Sequence, residues 1–206
     1  MAGLVDAAGT AHEPSDSSAR IVCLVPSITE LLCDLGLADN LVGRTGFCVH
    51  PKEAVRHIAK VGGTKTVDLA KVRSLVPSHV IVNIDENEKP AADALATFVP
   101  HVVVTHPLAP LDNLALYRLI GGLFGRAGEA ESLCSAFHTA YDTLTAEKHA
   151  RMRYSWSSMR QNLTDPTIGD NAAIHRHPTI ITHQPTALPR GCHPFPVPLI
   201  LQHIST

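Results

Sequence analysis

The chain has 206 residues, a formal net charge of -2 with histidine neutral, 45% hydrophobic residues and only 4% aromatic ones. That is enough apolar material for a sizeable core in one or two domains. It argues against a nucleic-acid binder working through bulk positive charge or stacked aromatic platforms, and no apolar run reaches the ~18 residues that cross a bilayer.

Residues 1–19 are polar and rich in Ala, Gly and Ser, and they read as a disordered leader. They carry Asp6, Glu13 and Asp16 and lack the basic start and apolar segment of a secretory signal. The five cysteines, Cys23, Cys33, Cys48, Cys134 and Cys192, match no CxxC or zinc spacing. Cys23, Cys33 and Cys134 fall on apolar faces and read as small core residues. Reduced thiols and a cytoplasmic address are the default expectation.

Arg20 to Leu35, RIVCLVPSITELLCDL, is the most informative stretch. A β-branched apolar run at 20–25 predicts a buried strand, ended by Pro26. Ser27 is the expected cap of a helix over 27–37, with Glu30 as capping-box partner and Gly36 near its end. A short strand at 41–44 leads into the loop TGFCVHP at 45–51. Pro51 suits the first turn of a helix over 51–57. KVGGTKT at 60–66 is a glycine-bearing loop, and Asp68 caps a helix over 69–75 that Pro77 stops. HVIVNI at 79–84 and HVVVT at 101–105 are apolar strands flanking the charged turn DENEK and a helix over 90–97. Continuous apolar strands separated by helices predict an α/β fold, a Rossmann-like parallel sheet buried on both faces.

An amphipathic helix over 112–124 is followed, after Gly125, by a long one from Ala127 to about His149. Its stripe is Ala130, Leu133, Cys134, Phe137, Tyr141 and Leu144. Residues 154–206 hold seven of the 15 prolines, five of the 13 histidines and only two acids, Asp165 and Asp170. The expected organisation is a leader at 1–19, a ligand-binding lobe at 20–126, a long backbone helix at 127–150, and an irregular tail at 151–206, out of frame or disordered.

Three blocks in this order carry a resemblance: RIVCLVPSITELLCDLGLADNLVG at 20–43, KVGGTKTVDLAKVRSLVPSHVIVN at 60–83, and Gly125 to Glu131 opening the long helix. Residues 20–149 resemble the N-terminal lobe and linking helix of ABC-importer substrate-binding proteins of the cobalamin/iron-chelate class, a family of helical-backbone metal receptors. The resemblance implies a cleft-forming lobe, a transported ligand that is cobalamin or an iron chelate, no covalent cofactor, no catalysis and no resident metal. It also implies a periplasmic address and an ABC permease as partner. The ligand-facing residues it implies are Pro26, Ser27, Ile28 and Thr29, then Thr45, Gly46, Phe47 and Cys48, then Gly62, Gly63, Thr64 and Lys65. Asn83, Asp85 and Glu86 end the third predicted strand near the same rim. The chain departs from the family in lacking a signal, in carrying Ala70 where some relatives dock on the transporter through a glutamate, and in a tail without the pattern of a second lobe. One lobe buries half of a ligand, so weak or absent binding is expected.

Other features point elsewhere. Ser27 after a strand suggests a hydrolase-like nucleophile, but the GxSxG glycines are missing. His50 sits alone in a loop, the state of an ordinary solvated histidine. His175, His177 and His183 invite a metal reading in a segment without regular periodicity. GGLFGRAG at 121–128 lacks the GK[ST] ending of a phosphate loop. A remnant without binding activity is the remaining alternative.

Overall fold

The computed structural model describes residues 3–164, with side chains through Lys148. Five strands form one parallel sheet: β3 (Ile21–Cys23), β4 (Leu41–Arg44), β5 (Ala59–Lys60), β6 (His79–Asn83) and β7 (His101–Thr105). A separate hairpin pairs β1 (Leu4–Val5) with β2 (Ala11–His12). The order across the large sheet is β5-β4-β3-β6-β7. The chain thus begins in the middle, winds out to one edge, then returns and winds to the other. The reversal falls between β3 and β6, where open α/β sheets leave a crevice at the carboxyl ends of their strands.

Helices α1 (Pro26–Asp34), α2 (Lys52–Val55), α3 (Leu69–Ser74), α4 (Lys89–Ala96) and α5 (Asp112–Leu123) connect or flank the strands. Val22, Leu24, Val80 and Val82 meet Val61, Val72, Leu95 and Val99 in one buried cluster on the α3/α4 side. Ile21, Cys23, Ile81 and Val103 alternate to the other face and are equally buried. Buried residues of α1 and α5, among them Leu32, Tyr117, Ile120 and Leu123, complete that half of the core. The parallel α/β sheet expected from continuous apolar strands is the one observed. Strand β5 was not anticipated, because two residues carry no periodicity.

Three expectations are corrected. First, residues 3–19 are not a disordered leader. Asp6 is buried, and its carboxylate accepts from the backbone N–H groups of Ala8, Thr10 and Val104 and pairs with His12 Nε2 at 3.0 Å. Ala7 N–H donates to the Val104 carbonyl. The hairpin thereby covers the otherwise open edge of β7, where an unpaired strand invites aggregation. Leu4 lies against Gly122 of α5, where a Cβ would come within 2.5 Å of Leu4 Cδ2. The polar composition concealed a segment held by hydrogen bonds rather than by apolar burial.

Second, Ser27 does not cap α1. The helix opens at Pro26, with extended Val25 in the N-cap position and no side-chain cap bond. Proline fits a first helical position because no N–H is needed there. Third, α6 runs Ala127–Thr164, beyond the expected end at 150 and into the expected irregular tail. Residues 151–164 contain neither Pro nor Gly, so nothing local breaks the helix before Pro166. The chain divides into two compact units, and the described residues of the first end at Phe137. The stretch up to Phe137 belongs with the sheet, where Phe137 meets Tyr117 edge-to-face at 6.4 Å. Residues 138–164 continue α6 as one unbroken helix. His175, His177 and His183, and the tail beyond Thr164, lie outside the described residues.

Beneath the hairpin, His79 is stacked on His101 at 4.7 Å and stands edge-on to Phe124. Burial, then the neighbouring His101 and His12, push His79 from the ordinary 6.5 down to about 4. The unfolded chain therefore binds a proton below pH 6.5 that the folded chain refuses until about pH 4. Stability from this site is full above pH 6.5 and is lost as pH falls through that window, by up to about 3 kcal/mol. Denaturant unfolding of the parent and of His79→Leu across this range checks it: the difference in stability between them should change with pH, and a constant difference would show that His79 titrates normally.

Candidate functional site

The carboxyl ends of β3, β4 and β6 lead into three loops, and specific hydrogen bonds draw them together. After β4, Thr45 to Cys48 makes a tight turn: Cys48 N–H donates to the Thr45 carbonyl, and Phe47 N–H to Thr45 Oγ1. The turn is anchored inward. Cys48 Sγ lies 3.1 Å from both Thr45 Oγ1 and Thr29 Oγ1, and all three residues are buried. Phe47 is turned the other way and is 64% exposed.

Gly46 N–H donates to the Gly62 carbonyl at 2.8 Å, which joins this loop to the 62–66 loop. Gly62 has φ +107°, and a Cβ there would meet Thr66 O at 2.3 Å, so only glycine fits. Gly63 N–H bonds back to Thr66 O, and a Cβ on Gly63 would touch the Phe47 ring at 3.5 Å. Phe47 and the glycine loop thus share one surface.

Asn87 completes the assembly, and it is the residue that sequence reasoning missed. Its Oδ1 accepts from Asn83 N–H at 2.8 Å, and its Nδ2 donates to Thr64 O at 2.8 Å and toward Leu24 O at 3.4 Å. One buried amide therefore ties the end of β3, the end of β6 and the glycine loop. The signal was present as an uncharged amide within DENEK, a stretch read as a solvated charged turn. Asn83 shapes the next turn by accepting from Asp85 and Glu86 N–H.

A cleft of about 350 Å3 opens at the switch point, lined by Ser27, Asn83, Asp85, Glu86, residues 107–110 and Asn113. The far wall is the β7–α5 loop, ordered because Asp112 Oδ2 accepts from Leu108 and Ala109 N–H. Asp85 reaches His106 across the cleft edge at 3.2 Å. Burial, then the neighbouring Asp85 charge, raise the Glu86 carboxyl above the ordinary carboxylate range. Phe47, Val49, Ile84, Leu108 and Leu111 are large exposed apolar side chains in loops that follow β4, β6 or β7; Leu108 lines the cleft, and Val5, Val76 and Leu144 are exposed elsewhere.

Of the residues implied by resemblance, the structure exposes Gly46, Phe47, Gly62 and Lys65 and half-exposes Pro26, Ser27, Gly63 and Thr64. The side chains of Ile28, Thr29, Thr45 and Cys48 are buried instead, because α1 turns that face toward the sheet and the Thr–Cys contacts fix the loop from beneath. The Cys23 thiol behind them, fully buried, is pushed up to about 12 and stays protonated. His50 is exposed. Among the described residues no cluster of three metal-ligating side chains occurs, and no helix is long and apolar enough to cross a membrane.

The fold and its strand-end loops can be set beside known proteins. A family model described as "Periplasmic binding protein" matches residues 21–151. An uncharacterized ABC transporter substrate-binding lipoprotein of Bacillus subtilis is 41% identical over 76 residues, which are 37% of this chain and 23% of that protein. The vitamin B12-binding protein of Photorhabdus laumondii is 27% identical over 88 residues, 43% of this chain and 32% of that one. Among solved structures, the periplasmic vitamin B12-binding protein of Vibrio cholerae superposes with a TM-score of 0.59 over 65% of this chain and 52% of its own, at 17% identity, a likeness of fold. The matched stretches are under a third of the two curated relatives and about half of that structure. With the family model spanning well over half of its residues, this chain belongs to the periplasmic binding protein family.

Proposed function

We propose that this chain is a substrate-binding component of an ABC importer and that the strand-end loops form one wall of its cleft for cobalamin or a similar metal chelate. The observation that carries the reading is the set of exposed apolar side chains in the loops after β4, β6 and β7, Phe47 at 64% and Leu108 at 73% exposed among them, at the same strand ends as the cleft. Isolated exposed apolar residues are ordinary on a protein surface, and Val5, Val76 and Leu144 are such, but five in the loops at the carboxyl ends of one sheet suit a flat ligand with an apolar ring and polar substituents. In this reading Phe47 lies against the ring edge, Gly62 and Gly63 permit close backbone approach, and Ser27, Thr64 and Lys65 meet peripheral groups.

The partners are the chelate and an ABC permease. The relatives, one of them a lipoprotein and another periplasmic, favour an address outside the cytoplasm. Binding and release, rather than bond-making, is the chemistry the residues support. Among the described residues no imidazole is hydrogen-bonded to the Ser27 hydroxyl, so the hydrolase-like alternative gains nothing from the geometry.

Calorimetry of the 206-residue chain with cyanocobalamin tests the proposal. One wall covers one face of a chelate, so a dissociation constant near or weaker than about 1 μM is expected, and Phe47→Ala should weaken it by about tenfold. Absence of binding, or equal affinity of the variant, would contradict the wall assignment. Asn87→Ala removes the bonds to Asn83 and Thr64 and should lower stability by about 2 kcal/mol while also weakening binding. Unaltered affinity in that variant would mean that the 62–66 loop holds its position without the tie.

A further inference from the structure

We infer that residues 3–19 form an acid-released strap: near neutral pH they close over β7 and His79, and proton uptake by His79 opens them while the parallel sheet stays folded. The inference is independent of the chelate-binding reading.

The strap is fastened mainly by polar bonds. Asp6 Oδ1 accepts from Ala8 and Thr10 N–H, and its Oδ2 accepts from Val104 N–H and pairs with His12 Nε2. Ala7 N–H reaches the Val104 carbonyl, and Ser15 N–H donates to the Leu123 carbonyl at 2.7 Å. Asn40 Nδ2 donates to the Ser17 and Ala19 carbonyls where the strap joins β3. Apolar anchorage is slight by comparison: Leu4 lies against Gly122, while Val5 is exposed. A segment with few buried apolar contacts opens more easily than the core it covers. Opening frees the Val104 N–H and carbonyl, so it uncovers the edge of β7.

The proton site lies against the strap. His79 opens β6 and is buried. On the β7 side the His101 ring is stacked on it at 4.7 Å, and on the α5 side Phe124 stands edge-on at 5.1 Å. Ser78 Oγ lies 2.9 Å from its Nδ1. From the strap, His12 and Asp16 are its titratable neighbours. No carboxylate is hydrogen-bonded to the His79 ring among the described residues. Asp6 is committed to His12 and to three backbone N–H groups, and Asp16 is exposed and bonded to Ser18. An imidazolium here would stand against two other imidazoles without a paired counter-charge. Moving residues 12–16 away hydrates His79 and removes His12 from beside it. The open form then takes a proton near the ordinary 6.5, which the closed form refuses until about 4. A group held low in the closed form favours closure above 6.5, and that preference is lost as pH falls toward 4. Burial works to raise the Asp6 carboxyl, but the bonds from Val104, His12, Thr10 and Ala8 outweigh it and hold it low. Its share of the fastening is therefore lost only as pH falls below the ordinary 3.8.

Amide hydrogen exchange of the full 206-residue chain, followed by NMR and corrected for intrinsic rates, tests this. The Ala8, Thr10 and Val104 amides report on the strap, and the Leu24 amide, bonded to the Ile81 carbonyl, reports on the sheet. Strap amides should be less protected than Leu24 at every pH. Between about pH 7 and about pH 4.5 their protection should fall roughly fiftyfold, and in His79→Leu the fall should shrink to about threefold or less. The inference is overturned if strap and Leu24 amides share one protection factor, if strap protection is flat with pH, or if His79→Leu leaves the fall intact. A second readout needs no variant. Ring titration by NMR in the parent chain should find His79 still neutral at about pH 5.5, and a ring that titrates like a free histidine overturns the inference.

Discussion

The candidate site depends on one side-chain amide. Asn87 commits its oxygen and its N–H groups to backbone atoms from separate segments: Asn83 on β6, Thr64 in the glycine loop and Leu24 at the end of β3. Each segment ends or leaves a strand, where backbone groups run out of ladder partners and must find others. A buried amide with three backbone contacts is a better joint here than a charged side chain, because it satisfies donors and acceptors without stranding a charge. The Gly46–Gly62 bond extends the joint to the Phe47 loop. Four loops that the sheet merely brings close thereby become one surface.

The Cys48 cluster is the second support. Thr29 on α1 and Thr45 at the end of β4 both reach the Cys48 sulfur, so the loop that presents Phe47 outward is held from beneath by small, buried polar groups. Residues on such a motif divide into those that meet the solvent and those that hold them in place. Sequence spacing alone does not separate the two, since Thr45 and Phe47 are two residues apart and face opposite ways.

What the sequence made legible was whatever burial writes into residue order. The strands at 79–84 and 101–105 and the Asp68 cap are found almost where expected, because an apolar run and an N-cap aspartate leave local signatures; Asp68 accepts from Lys71 N–H at 2.9 Å. The N-terminal hairpin was not legible, since Asp6 is held by partners nearly a hundred residues away, as at Val104, and polar composition resembles disorder when such contacts are unknown. Asn87 was hidden for the same reason. Ser27 was half legible: its place beside the crevice was found, while its role as a cap was not. Freed of that role by Pro26, it is half-exposed and lines the cleft instead. The resemblance supplied the family, and of the twelve implied site residues eight reach the surface at least in part while Ile28, Thr29, Thr45 and Cys48 are buried.

In the proposed reading the exposed side chains of the strand-end loops, Phe47, Ile84 and Leu108 among them, favour a broad apolar body. The central claim is that these loops form the wall against which such a ligand rests. Hydrogen–deuterium exchange of the whole chain, with and without cyanocobalamin, tests it most directly. The account predicts added protection confined to residues 45–48, 62–66, 83–87 and 107–113, with the hairpin at 4–12 unchanged. Protection absent from these loops, or concentrated on the hairpin, would contradict it.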